Sequence, residues 1–218
     1  MKDYKIIAFD LDGTLTNPES GLICGFKYAL DAYGVKYGSD ESLKKFIGPP
    51  LQVAWAEEYG VSRETAVEML LKFREFYNVY GWWDNKPYEG VREMLAALRA
   101  SGRILVVATS KPEPIAKRVL KLFELDSYFD FIGGASTDLR RDTKEQVLSY
   151  ALDAVGCTDR AEAILVGDRK YDAEGARLCG IDSLGVLWGH GSAEELSASG
   201  CTLIADTPDE VVRLLTNQ

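Results

Sequence analysis

Lys5-Ile6-Ile7-Ala8-Phe9-Asp10-Leu11-Asp12-Gly13-Thr14-Leu15-Thr16 decides how the chain is read. The apolar run from Ile6 to Phe9 is short enough for a buried strand. It stops at two carboxylates one residue apart. Residues i and i+2 of an extended chain point the same way, so Asp10 and Asp12 are expected to face one site if the extended form persists that far. Gly13 then lets the backbone turn. Two carboxylates at a strand's end are costly unless a cation or a proton relieves them. Asp and Gly are also ordinary turn formers, so the weight falls on what the rest of the chain places beside them.

After Thr16 the pattern becomes helical. Leu22, Phe26, Leu30 and Tyr33 fall near one face of a helix that ends at Gly34. A short segment follows around Asp40 to Phe46. Gly48-Pro49-Pro50 breaks the chain, and another helix is expected as far as Tyr59. Ala66, Met69, Leu70, Phe73, Phe76, Tyr77 and Tyr80 keep a 3.6-residue period over residues 62–80. The aromatics of this block read as core, and Trp82 and Trp83 as packing residues where the chain returns.

From Pro87 onward helix and strand alternate. Helices are expected over residues 89–100, 113–123 and 143–155, with another ending at Cys179. Between them lie Ile104-Leu105-Val106-Val107-Ala108, ending at Thr109-Ser110-Lys111; Phe131-Ile132-Gly133; Ala163-Ile164-Leu165-Val166, ending at Gly167-Asp168; and Leu184-Gly185-Val186-Leu187-Trp188. Leu203-Ile204 is a marginal further strand. Ser192 with Glu195, and Thr207 with Glu210, have capping-box spacing. Such alternation predicts an α/β fold, a parallel sheet covered on both faces. Residues 1–16 and 84–218 read as the core domain and 17–83 as an all-helical insert. In open sheets of this kind, sites form beyond the carboxyl ends of the strands. Three strand ends here carry polar groups: Asp10/Asp12, Thr109/Ser110 and Asp168.

Composition narrows the function. The 218 residues are 46% hydrophobic, enough for a sizeable core, and carry a formal charge of -9 without a long basic run. That argues against nucleic acid as a direct partner. No apolar stretch reaches membrane-spanning length, and the N-terminus enters a strand without a signal-peptide segment, so a cytoplasmic protein is expected. Cys24, Cys157, Cys179 and Cys201 are scattered and read as reduced, partly buried thiols. His190 is the only histidine; a multi-His metal site is impossible, and His190 itself reads as a flexible loop residue.

Gly167-Asp168-Arg169-Lys170-Tyr171-Asp172 supplies two more carboxylates, at i and i+4. They can share one side of a first helical turn if the helix begins early. With Asp10 and Asp12 they make a four-carboxylate cluster that needs a hard divalent cation. Oxygen ligands without His or Cys favour Mg2+.

Asp10-Leu11-Asp12-Gly13-Thr14, Thr109, Lys144 and Gly167-Asp168…Asp172, in that order, resemble the haloacid dehalogenase (HAD) superfamily of hydrolases over essentially the whole chain. Residues 17–83 resemble the helical cap of the phosphoglycolate-phosphatase-like branch, and Phe46-Ile47-Gly48-Pro49-Pro50-Leu51 and Ala108-Thr109-Ser110-Lys111-Pro112 add to the likeness. The resemblance implies a Rossmann-like sheet with its first strand central and a Mg2+-dependent phosphatase of a small phosphorylated metabolite, working as a monomer or weak homodimer. It makes Asp10 the nucleophile that forms an aspartyl-phosphate and Asp12 the acid and then the base. Thr109 and Lys144 complete the catalytic set. Mg2+ would be held by Asp10, the Asp12 backbone carbonyl and Asp168, with Asp172 completing the shell. Backbone N–H groups near Leu11 and Ser110 would donate to phosphate. Gly48 could meet the leaving group, and Lys111, Lys45 or Arg74 a second anionic group. Arg140, Arg141 and Lys144 lie close in sequence, and the order of motifs favours Lys144. A 5'-nucleotidase, a pyrophosphatase, a phosphomutase and a non-catalytic binding protein stay open as alternatives.

Overall fold

The computed structural model describes residues 2–138 and 140–216. The chain divides into two compact units, Met1–Asn17 with Pro87–Gln218, and Pro18–Lys86. In chain order the elements begin with β1 (Ile6–Phe9) and β2 (Thr16–Asn17). The second unit holds α1 (Glu19–Ala32), α2 (Asp40–Leu43), α3 (Leu51–Tyr59) and α4 (Arg63–Phe76). Then follow β3 (Lys86–Pro87), α5 (Val91–Ala100), β4 (Ile104–Pro112), α6 (Glu113–Leu122), β5 (Phe131–Ala135) and α7 (Lys144–Ala154). The chain closes with β6 (Ala163–Gly167), α8 (Lys170–Leu178), β7 (Asp182–Val186), α9 (Ala193–Ala198), β8 (Leu203–Ala205) and α10 (Pro208–Thr216).

The first unit is a parallel α/β sheet in the order β5-β4-β1-β6-β7-β8. β1 lies inside it, with Ile6 opposite Ile104 of β4 on one side and Ala163 of β6 on the other. All four of its residues are buried, which is why the run carries no polar alternation. Val147, Leu148, Ala151 and Leu152 of α7 pack in one cluster with Ile6, Ala8, Val106 and Leu165. Fully burying each large aliphatic side chain there contributes roughly 1.5–3 kcal/mol, and this fixes which face of α7 packs inward.

Several details differ from the reading of the sequence; the strand expected over residues 184–188, for one, is β7 at Asp182–Val186. β4 does not stop at Ala108 but runs to Pro112, because β5 continues beside it: Thr109 pairs with Gly134 and, after a register shift, Pro112 with Ala135. α8 begins at Lys170, so Asp168 precedes the helix and does not share its first turn.

The second unit is built on rings. Phe26 of α1 has its ring centroid 5.4 Å from that of Phe73, 5.9 Å from Trp55 and 6.2 Å from Phe46. The period of α4 does not carry to Tyr80. The chain widens into a π-turn over Tyr77–Gly81, where the Trp82 N–H reaches back five residues to the Tyr77 carbonyl at 2.9 Å. That shift of phase keeps Tyr77 buried and leaves Tyr80 63% exposed. Tyr33 and Trp83 are also exposed, so neither is a core residue. Cys24 is exposed, whereas Cys157, Cys179 and Cys201 are half-buried; all four are free thiols. No described helix is long and apolar enough to cross a membrane.

Candidate active site

The site forms where β1, β4 and β6 end. The Asp10 N–H still bonds the Val166 carbonyl at 2.9 Å, so the sheet holds its backbone. The chain then closes a tight turn. The N–H groups of Leu15 and Thr16 return to the Leu11 carbonyl at 2.9 and 3.0 Å, and that of Gly13 donates to the Thr16 carbonyl at 2.8 Å. Gly13 sits at φ +84, and a Cβ there would fall 2.2 Å from Asp168 Oδ2. Only glycine allows both the turn and that approach.

Because of this turn, the extended form ends before Asp12. Asp10, Asp168 and Asp172 are buried and offer oxygens that lie within 4.8 Å of one another. The Asp12 carboxylate is not in this group; it lies 2.9 and 2.7 Å from Lys111 Nζ. The expected four-carboxylate cluster is therefore a cluster of three. Lys111, expected to meet an anionic substrate group, is in this structure the ion-pair partner of Asp12.

Each member of the cluster is oriented by a named contact. Asp10 Oδ1 accepts the Leu11 N–H at 2.8 Å and lies 3.0 Å from Lys144 Nζ. The Leu11 N–H, expected to face phosphate, is thus engaged by the neighbouring carboxylate. Asp172 Oδ2 accepts the Arg169 N–H at 3.0 Å, and Oδ1 lies 2.8 Å from Lys144 Nζ. Asp168 Oδ2 accepts the His190 N–H at 2.8 Å, and Thr14 Oγ1 donates to Oδ1 at 3.4 Å.

Lys144 is the first residue of α7, set by the Thr143–Gln146 capping box. Its ammonium also donates to the Ala108 carbonyl at 3.2 Å. Arg141 pairs instead with Glu113 at 3.1 Å, and the exposed Arg140 with Asp138 at 3.4 Å. Of the three neighbouring cations, Lys144 is the one in the cluster.

Electrostatics follow from burial. Burial pushes the Asp168 carboxyl well above the usual range, and the charges of Asp172 and Asp10 push it further. Burial also raises Asp172, against the pull of Lys144. For Lys144, burial disfavours the ammonium, but Asp10 and Asp172 outweigh it and its pKa is raised, so it stays protonated. One ammonium among three buried carboxylates leaves the cluster short of positive charge. Its all-oxygen donor set fits a hard divalent cation.

Residues 7–186 match the model of the haloacid dehalogenase-like hydrolases. The chain belongs to that family. This HAD-like hydrolase is 37% identical over 195 residues to a 5'-nucleotidase of Pseudomonas aeruginosa, covering 89% of this chain and 88% of that one. It is 36% identical over 209 residues to the tyrosine-protein kinase PtkA of Mycobacterium tuberculosis, covering 95% of this chain and 71% of that one. The crystal structure of a predicted phosphatase from Clostridium acetobutylicum superposes with a TM-score of 0.95 at 38% identity, covering 99% and 100% of the two chains.

The remaining expected residues of the HAD-like hydrolase are placed as follows. Thr109 is buried in β4, and its hydroxyl accepts the Lys111 N–H at 3.2 Å. Ser110 is half-buried beside it. Gly48 belongs to the second unit, exposed at φ +107. The loop after β7, expected only to be flexible, adds a contact to the site. His190 is no free-standing loop residue; its backbone N–H holds Asp168. The signal was Gly189-His190-Gly191 just past the carboxyl end of β7, which stops at Val186 rather than at the expected Trp188.

Proposed function

We propose that the protein is a Mg2+-dependent phosphatase that hydrolyses a small phosphomonoester through an aspartyl-phosphate on Asp10. The observation that carries this reading is the assembly of Asp10, Lys144, Asp168 and Asp172 at one end of the sheet. Asp10, Asp168 and Asp172, with the Asp12 backbone carbonyl, would hold the cation. When bound, Mg2+ supplies positive charge that lets a carboxylate approach a phosphate dianion.

The other steps belong to the chain. Leu11 N–H and Lys144 fix one oxygen of Asp10, so the carboxylate attacks phosphorus without first reorganising. Attack forms the Asp10 O–P bond and breaks the P–O bond of the ester. Asp12, once it has left Lys111 and taken up a proton from solvent, gives that proton to the leaving oxygen, then takes one from the water that cleaves the acyl-phosphate. Lys111 must release the Asp12 carboxylate for this exchange, and in this reading it turns to an anionic group of the substrate. The Thr109 hydroxyl already accepts the Lys111 N–H, which leaves its own proton to donate to a phosphate oxygen. Lys144 offsets the charge gathering on Asp10 and phosphate. The helical unit, with Gly48, is assigned the choice of substrate. The reading takes the protein to act in the cytoplasm on a diffusing metabolite, as a monomer or weak homodimer.

Phosphate release with Mg2+ from nucleoside monophosphates, phosphoglycolate, sugar phosphates and pyrophosphate, comparing wild type with Asp10→Asn, tests this. Selective, Asp10-dependent release supports the phosphatase and gives its substrate class. Release that survives Asp10→Asn would reject the nucleophile. The likeness to PtkA favours a second reading, phosphoryl transfer to a protein tyrosine. Labelled phosphate moving from ATP to a tyrosine peptide, with none released from any monoester, would select it.

A further inference from the structure

Lys144 reaches Asp10 and Asp172. Asp168 is held differently, by the loop Trp188-Gly189-His190-Gly191. The His190 backbone N–H donates to its Oδ2 at 2.8 Å. Two residues earlier, the Trp188 indole N–H donates to the Thr14 carbonyl at 2.9 Å. The loop therefore touches the turn that carries Asp10 and the carboxylate that follows β6 at the same time.

Its glycines leave no slack. A Cβ on Gly189 would fall 2.4 Å from the Gly13 carbonyl oxygen and 2.4 Å from Asp168 Cβ, and one on Gly191 1.9 Å from the Asp168 carbonyl oxygen. The indole anchors one end and fixes where the His190 N–H lies. That N–H and the Thr14 hydroxyl, at 3.4 Å, set how the Asp168 carboxylate is turned.

We infer that the Trp188–Gly191 loop is a positioning strap that sets the affinity of the Asp10–Asp168–Asp172 site for its cation. It does so by pinning Asp168 to the nucleophile turn through the Trp188 indole and the His190 backbone. The inference rests on reading those carboxylates as cation ligands. Losing a hydrogen bond that orients a ligand costs metal affinity about 10- to 100-fold.

The test is Mg2+ titration of the whole chain, read by calorimetry and by the rise in melting temperature, so no turnover enters the readout. Trp188→Phe keeps an aromatic ring and removes the N–H. His190→Pro removes the backbone donor, whereas His190→Ala keeps it. Trp188→Phe and His190→Pro are each expected to weaken Mg2+ binding by about 10- to 100-fold, while His190→Ala binds as wild type does. Trp188→Phe should melt within about 4 °C of wild type without metal, and it decides the matter alone if His190→Pro does not fold. Wild-type affinity in Trp188→Phe would overturn the strap. An equal loss in His190→Ala would overturn it too, since the side chain would then be the cause. If wild type itself binds no Mg2+, the cation reading fails and the strap falls with it.

Discussion

The two units bury opposite kinds of group. At the end of the sheet, three carboxylates and Lys144 are buried together, each turned by a specific hydrogen bond or ion pair. In the helical unit the buried residues are apolar: the rings of Phe26, Phe46, Trp55, Phe73 and Tyr77 beside aliphatic side chains such as Leu30, Ile47 and Met69. A buried charge without its partner is expensive, so the first set tolerates almost no change of identity. A buried ring chiefly fills volume, and another apolar shape can often replace it. The groups able to do chemistry are therefore concentrated in the sheet unit, and the helical core tolerates more change of identity.

Variants can press on that contrast, beginning with the largest expected effect. Asp10→Asn should lower Mg2+-dependent phosphate release at least about a thousand-fold, with an unchanged circular dichroism spectrum. A variant that keeps a tenth of the activity would end the special standing of the sheet unit. Next is Lys144→Ala, which leaves Asp10 and Asp172 without their buried cation. Breaking such a pair costs about 3–5 kcal/mol. Urea unfolding of the metal-free protein should show that loss, and Mg2+ should recover part of it.

Asp168 makes a prediction about pH. Its folded pKa is raised by burial and by the neighbouring carboxylates. Below the unfolded pKa both states hold the proton. As pH rises past it, the unfolded chain releases the proton first, so the metal-free protein loses stability from there up to the folded pKa. Asp168→Asn should lessen that fall, to which Asp172 also contributes, giving a higher melting temperature at pH 7 without metal and no rise when Mg2+ is added. A lower melting temperature for the metal-free variant would show that the charge is not a burden.

The smallest effect belongs to the helical unit. Trp55 is fully buried, and its indole N–H meets no hydrogen-bond acceptor among the described residues. Trp55→Phe loses volume but removes that unpaired donor, so the net change should stay below about 1.5 kcal/mol. Trp55→Ala opens a cavity and should cost about 3–5 kcal/mol. Chemical unfolding followed by circular dichroism separates the two. A large loss in Trp55→Phe would mean that this core depends on identity as strictly as the carboxylate cluster does.

The alternation of apolar strands with amphipathic helices made the sheet legible, because a strand buried on both faces has no other composition open to it. The carboxylates were legible for a related reason: charge at the end of such a strand has few bland explanations. Harder to read was anything set by the path of the chain between elements. Asp12 parted from Asp10 because Leu11 to Thr16 closes a turn. Tyr80 left the core because one wider helical turn shifted the phase. His190 looked idle because its contribution is a backbone N–H, which no side-chain pattern announces.

What the sequence determined by itself was the order of the elements and the residue types able to do chemistry, since periodicity and charge are local properties. Tertiary structure decided which of those residues meet. Lys144 rather than Arg141 enters the cluster, and the Lys111 ammonium faces Asp12, because strands far apart in the chain end side by side. Contacts between residues as far apart in the chain as Asp12 and Lys111, or Asp10 and Lys144, follow from the packing of the sheet, and no local pattern carries them.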